Sequence, residues 1–380
     1  MSSASSSLSG FRARLAAARR IVVKVGTNVV MRDDGTPSTL ALGRLYGLVE
    51  SVGALRRQGK EVLLVSSGAV GLGAQRLALK EKPKVLALKQ ACAAVGQSRL
   101  MSVYEHGFEK LGLTTAQVLL TEEDFTSRTR YLNLRATLEK LLELGTVPIL
   151  NENDTVSTQE LEGHVFGDND KLSALVASKL DAQLLVILSD VDALYTANPA
   201  RSRAAERVSL VAELTPEVEA YADGGGARGR GGMATKLQAA RIATSSGCMT
   251  VIASGRLPGV LERLFAGEDL GTLFLPSAPM PGKRRWLAWA SAPAGTLVVN
   301  DGARAALLRK KASLLPAGVV SVHGSFRKGD VVSIQDAGGV EIARGIASRG
   351  DAEAARLAGA PERGVELVHR DNILIVAEET

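Results

Sequence analysis

Short, continuous apolar runs rich in β-branched residues recur along the first 255 residues. They read RIVVKVGTNVV at 20–30, EVLLVSSG at 61–68, TTAQVLL at 114–120, VPILN at 147–151, AQLLVILSD at 182–190 and MTVIAS at 249–254. Unbroken runs of this kind, as opposed to alternating ones, suit strands buried on both faces. Segments of helical spacing separate them. One carries Leu45, Leu48, Val49, Val52 and Leu55 and closes on Gly59. A second opens at Pro83, a residue suited to a first helical turn. Others cover 128–144, DKLSALVASKL and MATKLQAARIATSSG. This alternation predicts an α/β fold with a mostly parallel sheet sandwiched by helices. Such sheets bind ligands at the carboxyl ends of their strands. Polar residues fall there repeatedly: Lys24–Gly26, Ser67–Gly68, Asn151–Asp154 and Ser189–Asp190.

The pattern changes after residue 255. Pro, Gly and scattered Trp weaken it, and then short strands and tight turns take over, with Gly338-Gly339 placed as a hairpin turn. The expected organisation is a disordered N-terminal tail over 1–18, a large domain over 19–265, a linker over 266–293 and a small β-rich domain over 294–375. A chain of 380 residues is long enough for two such domains. The opening MSSASSSLSGFRARLAAARR is Ser-rich and free of acids, as transit peptides are, but it has no apolar stretch of the kind a secretory signal needs. It is read as a Ser-rich tail followed by a short helix.

No apolar run approaches bilayer-spanning length, so no membrane partner is expected. Cys92 and Cys248 are the only cysteines and stand far apart, which points to a reducing, cytoplasmic setting. The net charge of +6 is mild for this length and compatible with small anionic substrates.

The richest glycine segment is ADGGGARGRGGMATK, 222–236. Gly224, Gly226 and Gly229 match G-x-G-x-x-G, but a helical pattern precedes them where the dinucleotide fingerprint needs a strand, and no G-x-x-x-x-G-K-[ST] occurs anywhere. What remains is a glycine loop running into a helix that bears Lys236. That is either an anion site or a surface loop with a solvated lysine. Lys24 lies inside a run too apolar for a solvated charge. It either reaches a ligand from the strand end or pairs with a buried acid, and Asp170 is a candidate that could orient both lysines. Two lysines, glycine loops and carboxylates at the loop ends of one sheet are the parts phosphoryl transfer needs. Of the four histidines only His164 lies near a motif. A hydroxyl acceptor would call for a general base, whereas a carboxylate with a pKa of about 4 is already ionised.

Seven segments occur in order: IVVKVGTNVV, LLVSSGAVGLG, QVLLTEEDF, PILNENDTVST, FGDNDKLSALVA, LSDVDALYTANP and GRGGMATKLQAA. Together they resemble the glutamate 5-kinase family, which has the amino-acid kinase fold. GTLVVNDGARAALL, SLLPAGVVSVHGSFRKGDVVSI, EIARGIA and HRDNILIV resemble the PUA domain that many bacterial members carry. The resemblance covers nearly all of the chain after residue 20. It implies that ATP, with Mg²⁺, phosphorylates the γ-carboxylate of L-glutamate to glutamyl 5-phosphate, the first step of proline synthesis. It further implies inhibition by proline, delivery of the unstable product to glutamyl phosphate reductase, and a homo-oligomer, dimer or tetramer.

Residue by residue, the resemblance makes Lys24 and Lys236 the phosphate contacts and Asp170 the group that holds both. Ser67, Asp154, Asp168 and Asn169 would grip glutamate. Asp154 and Asp168 would pair with its ammonium, and the amides of Asn153 and Asn169 would donate to its carboxylate. ATP would be bound by Lys24, Gly26, Ser189, Asp190 and the run Arg230, Gly231, Gly232, Met233, Ala234, Thr235, Lys236. No protein metal site is expected, because Mg²⁺ would bridge phosphate oxygens and keep several waters. Each Asn/Asp cluster also suits plain helix capping and turn formation. The chain departs from the family at Arg230, where a Thr is usual, and at Ser189, Ala193 and Asn198, where Thr, Gly and Asp are more frequent.

Two other readings remain. One is a sibling kinase acting on another acid. The other is RNA binding through Arg309, Lys310, Lys311, Arg327 and Lys328. Aromatic residues are only 4% of the chain, and stacking platforms are what single-strand readers need, so this basic group is read as a solvated face or an interface that modulates the kinase.

Overall fold

The computed structural model describes residues 2–32, 40–81, 83–121, 123–156, 169–222, 232–277, 287, 293–310, 312–360 and 365–376. Asp168, Arg230 and Gly231 of the expected site, and His164, lie outside the described residues. By compactness the chain divides into two units, 1–121 with 135–279 and 122–134 with 280–380.

The first unit contains, in order, α1 (Ser2–Ala17), β1 (Arg20–Val25), α2 (Thr27–Val30), α3 (Leu42–Arg57), β2 (Glu61–Ser66), α4 (Ala69–Arg76), α5 (Leu86–Glu109) and β3 (Thr115–Leu120). The short α6 (Glu123–Thr126) and the start of α7 (Arg128–Glu143) fall in the second unit, and the first resumes with the rest of α7, β4 (Val147–Glu152), α8 (Asn169–Lys179), β5 (Leu184–Ser189), β6 (Leu194–Tyr195), β7 (Arg207–Val208) and β8 (Leu210–Val211). Then follow α9 (Pro216–Ala220), α10 (Met233–Thr244), β9 (Met249–Ser254), α11 (Val260–Phe265) and β10 (Thr272–Phe274). Among the described residues the main sheet has eight strands in the order β3-β4-β2-β1-β5-β9-β10-β8.

The four strands that carry the polar ends, β4, β2, β1 and β5, are consecutive neighbours and mutually parallel. Their interiors are buried along their length, which explains why they read as continuous apolar runs. Parallel pairing brings all four carboxyl ends to one edge of the sheet. Lys24, on the inner strand β1, is in register with Val65 of β2 and Ile187 of β5.

Several local expectations change. The run at 20–30 is not one strand. It breaks at Gly26, whose N–H donates to Leu188 O at 2.9 Å while its carbonyl accepts from Val29 and Val30 to start the turn of α2. The helix expected from Pro83 begins at Leu86, after an extended Val85. The tail expected to be disordered over 1–18 is the helix α1, with Arg12 and Leu15 fully buried. Thr272–Phe274, placed in the linker, pairs antiparallel with β9 and parallel with β8.

Helix α4 was hidden in the sequence by three glycines within a few residues, poor helix formers in isolation. Packing explains them. A Cβ at Gly73 would lie 1.7 Å from the Cys92 carbonyl oxygen, and one at Gly96 would lie 1.8 Å from that of Ala69. Helices α4 and α5 thus cross backbone to backbone. Gly68, at φ +102°, makes the left-handed turn from β2 into α4.

The second unit holds a five-stranded sheet in the order β12-β11-β13-β14-β15, from β11 (Gly295–Val299), β12 (Val319–Gly324), β13 (Val331–Gln335), β14 (Glu341–Ile346) and β15 (Ile373–Ile375). Strands β13 and β14 form the expected hairpin, with Gly339 at φ +80° in its turn. Helices Asp301–Lys310 and Asp351–Leu357, which the strand-and-turn pattern did not suggest, accompany the sheet. Leu297, Val299, Ile334, Ile342 and Val368 are among the residues of its separate core.

Candidate active site

Three buried charges meet at the carboxyl edge of the main sheet. Asp170, in the first turn of α8, is wholly inaccessible. Its Oδ1 lies 2.5 Å from Lys24 Nζ, and its Oδ2 lies 3.1 Å from Lys236 Nζ. Lys24 is 4% exposed and Lys236 3%. Of the alternatives left open for Lys24, the pairing with a buried acid is present. Burial raises the Asp170 pKa, but the charges of Lys24 and Lys236 and their hydrogen bonds outweigh it and hold the carboxyl below the ordinary range. Two ammonium groups against one carboxylate leave the trio at +1. Each ammonium has three donors and uses at least one on Asp170.

Lys236 lies on α10, which packs on α8. Thr235, expected to contact ATP, turns its hydroxyl toward Asp170 Oδ2 at 3.1 Å and Gly232 O at 2.8 Å, so it braces the trio. Gly232 and Ala234 are exposed at this helix start and Met233 is half-buried. Free N–H groups there suit an anion.

On the β5 side, Ser189 is buried and Asp190 exposed. Asp190 accepts from Ser189 Oγ at 3.0 Å and from Asn28 Nδ2 at 2.7 Å. Burial raises its pKa, yet these hydrogen bonds and the charge of Lys236 bring it below the usual value. Asn28 belongs to α2, directly after the Gly26 turn. A Cβ at Gly26 would meet Leu188 O at 3.3 Å and the Lys24 ammonium at 3.7 Å, so glycine keeps this turn tight against the lysine.

A neutral polar network occupies the β2–β4 side. Asn169 Nδ2 donates to Ser66 O at 3.0 Å, Ser67 Oγ at 2.9 Å and Asn151 Oδ1 at 3.0 Å. Asn151 Oδ1 also accepts the Glu152 N–H at 2.9 Å, and Asn151 Nδ2 donates to Gln97 Oε1 at 2.8 Å. The Ser66 carbonyl can only accept, which fixes the Asn169 amide with its nitrogen inward. Asn169 Oδ1 is buried and has no hydrogen-bond partner among the described residues. The sequence reading has the Asn169 amide donating to a carboxylate. Its amide nitrogen is taken up by the scaffold, and it offers an acceptor, which matches an ammonium and not a carboxylate. Asp154 stands in the half-buried turn just beyond β4, at the same edge of the sheet.

Sequence reasoning missed Asn28, Gln97 and Tyr104 and gave Asn151 no role. Tyr104 is fully buried, with its hydroxyl 2.9 Å from Ser66 Oγ. Burial pushes its phenol up to about 12, with the Ser66 hydrogen bond pulling the other way. Gln97 and Tyr104 are two turns apart on the buried face of α5, a pattern visible once the helix is placed.

Among the described residues, no group of three or more His, Cys, Asp or Glu side chains could hold a metal ion. No helix among them is long and apolar enough to cross a membrane.

Residues 19–254 match the amino acid kinase family, and residues 295–367 match the PUA domain. The chain belongs to the amino acid kinase family, with a PUA domain after it, and is an enzyme of the phosphotransferase class. Relatives that match it at nearly full length include glutamate 5-kinases. That of Moorella thermoacetica is 48% identical over 377 residues, covering 96% of this chain and 98% of the relative. That of Myxococcus xanthus is 45% identical over 386 residues, covering 98% and 100%. A carbamate kinase from Giardia lamblia bound to AMP-PNP shares the fold, with a TM-score of 0.50 at 16% identity over 69% of this chain and 100% of that one.

Proposed function

We propose that this protein transfers the γ-phosphoryl group of ATP to the γ-carboxylate of L-glutamate, giving glutamyl 5-phosphate for proline synthesis. The observation that carries this reading is the buried Lys24–Asp170–Lys236 trio beside the Asn169–Ser67–Asn151 network. The difficulty in joining a carboxylate to a phosphoryl group is repulsion between anions, and a fixed excess of positive charge in a dry site opposes it directly. The relatives named glutamate 5-kinase support the choice of substrate.

In this reading Lys24 and Lys236, held by Asp170, face the moving phosphoryl group and neutralise the charge that builds on its oxygens. No side chain has to remove a proton, because the acceptor is already ionised. Asn169 Oδ1 and Asp154 receive the α-ammonium, and Ser67, hydrogen-bonded to Asn169, belongs with them. Asp168 belongs with them by its place in the sequence. On the other side Gly26, Ser189, Asp190 and the start of α10, with Arg230 and Gly231 preceding it, hold the nucleotide. Mg²⁺ would arrive on the nucleotide, where phosphate oxygens and water suit this ion. Bound there, Mg²⁺ would add charge stabilisation at the phosphates. Proline inhibition, a homo-oligomer, a cytoplasmic setting and transfer of product to glutamyl phosphate reductase extend the same reading.

The test is ATP turnover with purified protein, Mg²⁺ and L-glutamate, trapping product with hydroxylamine, with aspartate, N-acetylglutamate and UMP in parallel. Hydroxamate from glutamate alone is the expected result. Product only with another acceptor would retain the fold and reject the substrate. No turnover with any acceptor, in folded protein, would reject the reading.

A further inference from the structure

The Arg12 guanidinium is only 1% exposed, yet it belongs to a helix that the sequence presented as a tail. Its Nη1 donates to Leu270 O at 2.7 Å and Glu268 O at 3.2 Å. Its Nη2 donates to Ser209 O at 3.3 Å and meets Asp269 Oδ1 at 2.7 Å. The other oxygen of Asp269 accepts from Arg207 Nη2 at 2.7 Å and Ser209 Oγ at 3.1 Å. Lys60 holds the far end of α1, donating to Ala16 O at 2.6 Å and Ala18 O at 2.8 Å. Both sets of contacts fall in the C-terminal half of α1, and that of Arg12 grips the chain where it enters β10 and β8 at the edge of the sheet.

That edge connects to the nucleotide side by two short routes. Arg207, braced by Asp269, is the register partner of Tyr195 in the β6–β7 pair. Thr272, wholly buried in β10, accepts the Leu194 N–H at 2.8 Å and donates to Val208 O at 2.6 Å. Both routes end on β6, which follows Ser189–Asp190 after a short turn. The glutamate-side residues Ser67, just after β2, and Asn151, on β4, belong to the opposite half of the sheet order, and Asn169 of α8 bonds to both.

We propose that Arg12 is a positioning residue for nucleotide binding: through Asp269, Arg207 and Thr272 it sets the Ser189–Tyr195 segment, so that docking of α1 tunes affinity for ATP and leaves affinity for glutamate alone. The inference rests on the reading that ATP binds at the end of β5. A buried guanidinium serving three carbonyls and a carboxylate has no equivalent substitute. Lysine keeps the charge opposite Asp269 but loses the planar fork.

The test measures binding of a non-hydrolysable ATP analogue by calorimetry and the two KM values from the hydroxamate reaction. Variants are Arg12→Ala, Arg12→Lys and Thr272→Val in the full chain. The expected result for Arg12→Ala is a rise of about fivefold or more in the nucleotide Kd and in KM for ATP, with KM for glutamate within about twofold of wild type. Arg12→Lys should recover part of the loss. Thr272→Val, close in shape, cuts the route beside Leu194 and should act in the same direction, with a double variant whose effects are less than additive. It also carries the test if Arg12→Ala does not fold. Unchanged nucleotide affinity in folded Arg12→Ala and Thr272→Val, or equal loss toward both substrates, overturns the proposal. Wild-type protein that binds no nucleotide would overturn the functional reading itself, an outcome distinct from wild-type binding that the variants leave untouched.

Discussion

Lys24 and Lys236 approach opposite oxygens of the same carboxylate: Asp170 Oδ1 is 2.5 Å from the first ammonium and Asp170 Oδ2 is 3.1 Å from the second. The lysines come from β1 and α10, far apart in the chain, and the buried carboxylate between them joins the two.

Replacing that anion tests its role. Asp170→Asn leaves two ammonium groups facing each other without the carboxylate that joins them. The expected outcome is a fall in kcat of about 100-fold or more. Stability should drop by roughly 3–5 kcal/mol, the usual effect of breaking a buried charge pair. Steady-state kinetics and urea unfolding of the same preparation read the two effects separately. Lys24→Met and Lys236→Met should each lower kcat strongly.

The same carboxylate predicts a pH dependence. Its folded pKa is held below the ordinary value, so its contribution to stability is complete above the unfolded pKa of about 3.9 and is lost as pH falls through the depressed folded value. Asp170→Asn cannot titrate there. The stability gap between wild type and variant should hold from about pH 7 down to about pH 4 and narrow below that. Urea midpoints across this range check it, and a gap already narrowing between pH 7 and 5 would contradict a depressed pKa.

Asn169 is expected to act on glutamate alone. Asn169→Ala removes both the acceptor Oδ1 and the link joining Ser66, Ser67 and Asn151. Loss of a hydrogen bond to a charged group costs about 1.5–3 kcal/mol, which converts to a KM for glutamate raised roughly 10- to 150-fold. KM for ATP should change little. Initial rates with each substrate varied in turn give both values.

The α4–α5 crossing predicts a purely structural effect. Gly73→Ala or Gly96→Ala drives a methyl group into a backbone carbonyl, which cannot yield as a flexible side chain would. Destabilisation of at least about 1–3 kcal/mol is expected, from overpacking. Because α5 also carries Gln97 and Tyr104, KM for glutamate should rise too. Thermal melts and kinetics on the surviving fraction check both.

Much of this was legible in the sequence, for reasons specific to each residue. Strands β1, β2, β4 and β5 were visible because both faces are buried, so each reads as an uninterrupted apolar run. Lys24 stood out because a charge inside such a run needs a partner. The position of Asn169 was legible, but the orientation of its amide was not. An amide's orientation is set by neighbours, and here Ser66, Ser67 and Asn151 come from two different strands. Helix α4 escaped because Gly71 and Gly73 lower its propensity, and the reason for Gly73, the passage of α5, lies elsewhere in the chain. Arg12 escaped because a Ser-rich opening resembles a tail, and the carbonyls that bury its guanidinium lie more than 190 residues away.

The central claim is that a carboxylate oxygen of glutamate attacks phosphorus in this site. The most direct measurement uses glutamate labelled with ¹⁸O in its γ-carboxylate, with ATP, Mg²⁺ and hydroxylamine. The released phosphate is then examined by ³¹P NMR. If the acyl phosphate forms, hydroxylamine takes the acyl group and phosphate leaves with the bridging oxygen, so one ¹⁸O should appear in each phosphate. Phosphate released without label would mean that water, and not glutamate, received the phosphoryl group, and would contradict the account.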